Sequence, residues 1–127
     1  MATWTSDELM KIGAADELQI SSLRRDGTLR KAVIIWVVRV GDDLYVRSVN
    51  GRTSGWFRGV LVCHEGHIRA GGVEKDVTFV DENDPGTHAQ IDAAYRAKYR
   101  SYPAAYVDAT VTSEARAATI TLVPRLR

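Results

Sequence analysis

Short runs of alternating apolar and polar residues, separated by turn residues, fill the first half of the chain. The alternation predicts a strand over residues 18–23, and Asp26-Gly27 predicts a hairpin turn because glycine tolerates the positive φ of tight turns. Residues 29–40 contain the uninterrupted strand-forming run Val33-Ile-Ile-Trp-Val-Val38. Both faces of that strand are apolar, so we expect it to be central in a sheet or to lie at a subunit interface. A partner strand over residues 44–49 follows it.

The remaining patterns predict two main helices, a weaker helix and three further strands. A capping box formed by Thr5 and Glu8 predicts a short helix that ends near residue 13, and Asp84 followed by a proline starts the longest helix, which ends near residue 99. The apolar stripe of the long helix is expected to pack on the sheet and comprises Ile91, Ala94, Tyr95, Lys98, Tyr99 and Tyr102. A weaker helix over residues 56–61 and strands over residues 62–70, 75–80 and 118–123 complete the pattern.

The order of these elements indicates the fold class. A helix, a meander of strands, a helix and a last strand predict a mainly β protein, a six-stranded antiparallel barrel with peripheral helices. No strand–helix–strand alternation is present, which argues against a parallel α/β sheet. The length of 127 residues predicts a single domain over residues 1–127.

Composition narrows the classes of function. The net charge of +1 argues against general binding to nucleic acids or membranes. No apolar run reaches the roughly 18 residues of a membrane-spanning helix, and the first residues lack the features of a signal peptide. The single cysteine, Cys63, has no partner for an internal disulfide. We therefore expect a cytoplasmic protein.

The segment after the 44–49 strand carries the candidate chemistry. Residues 44–72 contain four arginines and one acidic residue, and a loop of glycines and hydroxyl residues leads into the predicted helix. Arginine forks, hydroxyls and free amides at a helix start are what a phosphate needs. The candidate phosphate ligands are Arg47, Ser48, Arg52, Thr53 and Ser54. The alternative is a polar surface turn, since the loop matches neither a Walker pattern nor G-x-G-x-x-G.

The sequence favours structural roles for the other reactive residues. On a strand, Cys63 and His67 would share one face and His64 the other, so this segment alone cannot converge three metal ligands, and we predict no metal site. No Ser-His-Asp set stands out, and the catalytic residues stay unassigned. Four tyrosines near the long helix either pack in the core or line a pocket: Tyr95, Tyr99, Tyr102 and Tyr106.

Three segments resemble one protein superfamily. A basic-then-apolar strand runs from Arg25 to Val40, the run Leu44-Tyr-Val-Arg-Ser48 follows, and Gly55-Trp-Phe-Arg58 starts a helix. They resemble the flavin- and deazaflavin-binding split β-barrel proteins, which include the pyridoxamine-phosphate-oxidase-like and deazaflavin-dependent nitroreductase-like proteins. Nearly the whole chain is similar to a small bacterial family of unknown function assigned to this superfamily.

This resemblance implies a fold, a cofactor and an assembly. It implies an FMN-binding split-barrel-like fold in which the five loop residues above hold the phosphate of FMN or of a deazaflavin. The backbone of residues 33–36, including Ile35 and Trp36, would lie along the cofactor ring, and Trp56 would pack beneath the loop. Such proteins are homodimers with two sites at the interface.

Three functions follow as alternatives. The first is a flavin- or deazaflavin-dependent oxidoreductase acting on a small organic substrate. The second is a barrel without a cofactor that binds a small molecule or a partner. The third is a cofactor-independent enzyme that uses the same cleft through Tyr106 or His67.

Overall fold

The computed structural model describes residues 3–125, which form one curled, seven-stranded antiparallel sheet with peripheral helices. The strands are β1 (Leu18–Ser22), β2 (Val33–Ile35), β3 (Val38–Val40), β4 (Asp43–Arg47), β5 (Glu65–Ala70), β6 (Val73–Asp81) and β7 (Thr119–Pro124). The helices are α1 (Ser6–Ala14), α2 (Gly55–Cys63), α3 (Pro85–Lys98), α4 (Ala104–Ala109) and α5 (Ser113–Ala117). The prediction of a mainly β fold is confirmed, with seven strands rather than six.

The extra strand comes from a break in the long apolar run. The sheet order is β2-β1-β5-β6-β7-β4-β3, so β2 and β3, although consecutive in the chain, occupy opposite edges of the sheet. The prediction that residues 29–40 form one continuous strand was therefore wrong. Two residues, Trp36 and Val37, carry the chain from one edge to the other, and the sheet must curl for so short a connection to join its edges.

Helix α3 holds this connection in place. Tyr99, just after α3, accepts a hydrogen bond from the Val37 backbone N–H (3.2 Å) through its hydroxyl and donates one to the Asp16 carbonyl (2.7 Å). The ammonium of Lys98 donates to the carbonyls of Val37 and Ala15, both at 2.6 Å. The Val37 N–H and carbonyl, freed where the chain leaves the ladder, are thus satisfied by side chains at the C-terminal end of α3.

The core lies on both faces of the sheet. One cluster fills the inside of the curl and is covered by α1 and α2, with Leu9, Phe57 and Phe79 among its buried members. The second lies between α3 and the β3–β4 hairpin and contains Ile91, Tyr95 and Tyr99, so the predicted packing of the α3 stripe on the sheet is confirmed. Tyr102 and Ala94 pack against that cluster.

The structure contains the predicted caps of the two main helices and the predicted hairpin turn. Thr5 and Glu8 form the predicted capping box of α1, and Asp84 caps α3 by accepting from the Thr87 amide at 2.8 Å. Gly27 has φ of +87° in the hairpin turn. Helices α4 and α5 have no counterpart in the sequence predictions because they are too short to show a helical period. None of the helices within residues 3–125 combines the length and apolar character needed to cross a membrane.

Candidate functional site

A cleft of about 420 Å³ lies where the chain passes from β2 to β3, beside the end of β4 and helices α3 and α4. Its lining residues are Ile34, Ile35, Trp36, Arg47, Val49, Trp56, Tyr95, Tyr102, Tyr106, Ala109 and Thr110. Five of these eleven are aromatic, and the volume is in the range of pockets for small organic molecules. The walls therefore suit a flat, largely apolar ring system, which stacks well on aromatic faces.

The Trp36 indole is held rigidly in this wall. It stacks on the Tyr99 ring with centroids 3.9 Å apart and planes 3° from parallel, and it meets the edge of Tyr102 at 4.9 Å. Tyr99 is itself fixed by the hydrogen bonds described above. One face of the Trp36 indole is thus taken by Tyr99, which leaves the other for a ligand.

Arg47 is the only charged side chain among the cleft residues, and it is buried. Its Nε donates to Thr119 Oγ1 (2.9 Å), and its Nη1 donates to Asp92 Oδ1 (2.5 Å) and to the Thr110 carbonyl (2.9 Å). Its Nη2 contacts His88 Nδ1 (3.1 Å) and the His88 carbonyl (3.4 Å). All five N–H groups of the guanidinium thus have protein acceptors. A phosphate at Arg47 would have to displace one of them.

Arg47 determines which ring nitrogen of His88 carries a proton, and it helps to keep Asp92 ionised. A guanidinium has no acceptor, so His88 must accept at Nδ1 and carry its proton on Nε2. Asp92 bonds Arg47 on one side and Arg116 on the other. Burial alone would raise the pKa of Asp92, but the hydrogen bonds from Arg116 and Arg47 outweigh it, and the pKa lies below its ordinary value. The group therefore remains a carboxylate that ties β4 to α3 and α5.

The loop residues predicted to hold phosphate lie outside the cleft. The hydroxyls of Ser48 and Ser54 bond each other at 2.7 Å. Ser54 occupies the N-cap position of α2, but its side chain caps no amide. Arg52 donates to the Ala117 carbonyl at 2.8 Å and pairs with Asp81 at 3.6 Å, while Thr53 is exposed. The structure thus places Ile35, Trp36, Arg47 and Trp56 of the predicted set in the cleft wall, and Ser48, Arg52, Thr53 and Ser54 elsewhere.

A small basic niche adjoins the cleft on the other side of Trp56. It is lined by Ile20, Ser22, Arg30, Lys31, Val33, Trp56 and Val60. The Nε of Arg30 is buried, and within residues 3–125 it has no hydrogen-bond partner. The side chain lies over Gly59, where a Cβ would come within 3.0 Å of Arg30 Cδ. The sequence analysis missed this residue as a candidate ligand, although its basic-then-apolar strand was a usable signal.

Of the two remaining candidate residues, Tyr106 lies at the cleft and His67 does not. Tyr106 lies at the cleft and is 63% exposed, as expected of a residue at its mouth. His67 lies on β5, away from the cleft, and contacts Asp76 (2.9 Å) and Glu74 (3.4 Å) on β6. Over the described residues, no three His, Cys, Asp or Glu side chains gather in an arrangement that could hold a metal ion.

Comparison of the sequence gives one family. The sequence profile of a family described as "Uncharacterized protein conserved in bacteria (DUF2255)" matches residues 8–122. A search of curated protein sequences finds no significant match.

Comparison of the structure identifies the fold. A conserved hypothetical protein, Rv2991, of Mycobacterium tuberculosis has a TM-score of 0.71 at 9% identity, covering 98% of this chain and 83% of its own. A protein of Listeria innocua assigned as a pyridoxamine 5′-phosphate oxidase has a TM-score of 0.63 at 15% identity, with 93% and 90% covered. An FAD-binding protein of Mesorhizobium loti has a TM-score of 0.56 at 17% identity, with 98% and 92% covered.

These similarities show that the chain has the split-barrel fold, so the predicted fold is confirmed. Other similar structures are named as an F420 reductase and a heme storage protein of Vibrio cholerae, so proteins of this fold hold several different cofactors. The identities are too low to carry any of these ligands over directly.

Proposed function

We propose that the chain, which belongs to the DUF2255 family of bacterial proteins, binds a flavin or deazaflavin in its aromatic cleft. The observation that carries the proposal is the cleft itself. Two tryptophans and three tyrosines line about 420 Å³ at the β2–β3 connection, in a fold whose known members bind such ring systems. The face of Trp36 that is turned away from Tyr99 would stack on the ring. Because Tyr99 already holds the indole in place, binding would not require the Trp36 side chain to lose conformational freedom.

The bound cofactor would supply hydride or electron transfer, and the chain would supply orientation and exclusion of water. We place the small organic substrate at the mouth beside Tyr106, which is the exposed aromatic of the cleft. Within residues 3–125, no carboxylate, histidine or lysine lines the cleft, and Arg47 is paired with Asp92. This arrangement supports an oxidoreductase whose redox chemistry resides in the cofactor.

The phosphate of the cofactor would lie in the basic niche rather than at Arg47. The Arg30 guanidinium has an unpartnered buried Nε, and Lys31 adjoins it. Trp56 is shared by the cleft and the niche, so a molecule with a ring on one side of Trp56 and a phosphate on the other would reach both. A charge-assisted hydrogen bond is available there at no cost to an existing one.

Titration of the purified protein with FMN and riboflavin, followed by flavin fluorescence, tests both parts of the proposal. We expect both to bind, and FMN to bind more tightly. Arg30→Ala should reduce the preference for FMN by about 10-fold or more, since a hydrogen bond to a charged group contributes about 1.5–3 kcal/mol. Arg52→Ala is the matched control and should leave the preference unchanged.

These titrations distinguish the basic niche from the loop residues as the phosphate site, and they also test whether a flavin binds at all. Loss of the FMN preference in Arg52→Ala instead of Arg30→Ala would restore the loop residues as the phosphate site. Failure of FMN, riboflavin and the deazaflavin to bind below about 100 μM, a standard binding free energy weaker than about −5.5 kcal/mol, would exclude the cofactor. The second candidate function, a cofactor-free module that binds a small apolar molecule, would then be the better account. That candidate is favoured by the complete internal pairing of Arg47.

We also propose that the protein is a homodimer. Val37 and Val38 are buried within the chain, so only part of the apolar run has an internal explanation. Ile34 is 57% exposed on β2, an edge strand, and Val33 beside it is 37% exposed. Exposed apolar edges are normally covered. A second copy over this edge would also close the cleft that Ile34 lines.

Sedimentation at micromolar concentration is expected to give twice the mass of the chain. Ile34→Glu places a charge on the proposed interface and should yield the single-chain mass. Met10→Glu on α1, where Met10 is 63% exposed, is the matched control and should remain a dimer. A wild-type protein that sediments as a single chain contradicts the assembly.

A further inference from the structure

Among the buried side-chain polar atoms of the cleft wall, within the described residues, the hydroxyl of Tyr95 alone lacks an acceptor. Tyr95 lies on α3, is 1% exposed and lines the cleft. Within residues 3–125 its buried hydroxyl finds no acceptor for its proton, and the Arg47 backbone N–H approaches its oxygen as a donor. A buried polar group without a partner carries a desolvation cost, so such a group in a binding wall points to a ligand that completes it.

The neighbouring polar groups cannot take this role. All five N–H groups of Arg47 have acceptors. The hydroxyl of Thr110 donates to the Val107 carbonyl at 2.6 Å, and that of Tyr102 reaches Asp16 at 3.4 Å. The cleft thus has one buried hydroxyl whose proton is not used by the protein itself.

We propose that Tyr95 is a specificity-determining residue, which donates a hydrogen bond to a carbonyl oxygen or ring nitrogen of a planar ligand in the cleft. The inference deepens the proposed function and rests on it, since the ring systems proposed there carry such acceptors. Burial raises the pKa of Tyr95, so the phenol stays protonated and serves as a donor.

Removing the hydroxyl of Tyr95 and removing that of Tyr99 should have different effects on the stability of the ligand-free protein. Both side chains are buried on the same helical stripe, but the Tyr99 hydroxyl bonds Val37 and Asp16. Tyr95→Phe removes a hydroxyl whose proton has no acceptor and whose oxygen is approached by the Arg47 backbone N–H, so the urea midpoint of the free protein should stay close to that of the wild type. Tyr99→Phe removes used hydrogen bonds, so its midpoint should fall.

Binding supplies the second measurement, with FMN and riboflavin as the probes. Tyr95→Phe is expected to weaken binding of both by about 3- to 12-fold, the effect of one net hydrogen bond, and by the same factor for each because the contact is to the ring. Tyr45→Phe is the matched control, because Tyr45 lies on β4 in the same buried cluster and does not line the cleft. Its affinity should equal that of the wild type.

Each outcome decides the proposal. Unchanged affinity in Tyr95→Phe, or a fall in its urea midpoint equal to that of Tyr99→Phe, overturns the role of Tyr95 and leaves flavin binding intact. Absence of binding by the wild-type protein overturns the proposed function, and the role of Tyr95 falls with it. A lower affinity at undiminished stability supports the inference.

Discussion

Replacing Arg47 with alanine is expected to lower the free energy of unfolding by about 3–5 kcal/mol, the cost of breaking a buried ion pair by removing one partner. The change would leave the Asp92 carboxylate without one of its two arginines and would strand acceptors on Thr110, Thr119 and His88. Because these acceptors belong to α3, β7 and the region around α4, Arg47 joins much of the cleft wall to β4. Urea unfolding followed by tryptophan fluorescence measures the effect.

Arg52→Ala is the control for the loss of an arginine. Arg52 is exposed, and its ion pair with Asp81 is partly solvated at 3.6 Å, so its removal should cost less than about 1 kcal/mol. Equal, small effects of the two substitutions would show that the Arg47 network contributes little. In that case Arg47 would be available as a ligand of an anion, as the sequence analysis proposed.

The same network has a pH dependence with a defined sign. The pKa of Asp92 is lower in the folded protein than its ordinary value of about 3.9. Its contribution to stability is therefore complete above that value and is lost as the pH falls through the folded-state pKa. The stability difference between the wild type and Asp92→Asn should accordingly shrink between pH 6 and pH 3. A constant difference would remove the ion pair as its cause.

Filling the cleft is expected to have the largest effect on binding. Ala109 lies on α4 and lines the cleft, so Ala109→Trp would place an indole in the space proposed for the cofactor ring. We expect flavin affinity to fall by more than about 100-fold, or about 2.7 kcal/mol, because steric overlap removes the stacked position altogether. Ala109 is only partly buried, so the fold should tolerate the change.

Ala105→Trp is the matched control on the same helix. Ala105 is exposed and does not line the cleft, so its substitution adds the same side chain without occupying the site. Flavin titration of both variants, with their unfolding curves, completes the experiment. Equal affinity of Ala109→Trp and wild type would locate the flavin outside this cleft.

Local patterns in the sequence were sufficient for most elements of secondary structure. The capping box at Thr5 and Glu8, the Asp84 cap and the apolar stripe of α3 all act between residues close in the chain, and each is found as predicted. The alternation of β1 likewise matches its burial pattern. The split-barrel fold was predicted from a resemblance of three segments, and similar solved structures confirm it.

The apolar run of residues 33–38 shows where local reading fails. Its composition is the same whether it forms one strand or two, because strand propensity and burial do not record which neighbour each residue pairs with. The break at Trp36 and Val37 exists because Tyr99 and Lys98, about 60 residues later, supply the hydrogen bonds that the ladder no longer provides. Without that knowledge, an uninterrupted strand was the simpler prediction.

Some features of the candidate site were also predictable from the sequence, and others were not. The arginine-rich segment after the 44–49 strand singled out Arg47, and the resemblance to split-barrel proteins singled out Trp36 and Trp56. Only the tertiary structure showed that Arg47 is turned inward onto Asp92, that the loop hydroxyls bond each other and that the Tyr95 hydroxyl and the Arg30 Nε find no acceptor within residues 3–125. Sequence patterns report propensity and periodicity, which are local, whereas the pairing of a charge and the shape of a cleft depend on residues that meet only when the chain folds.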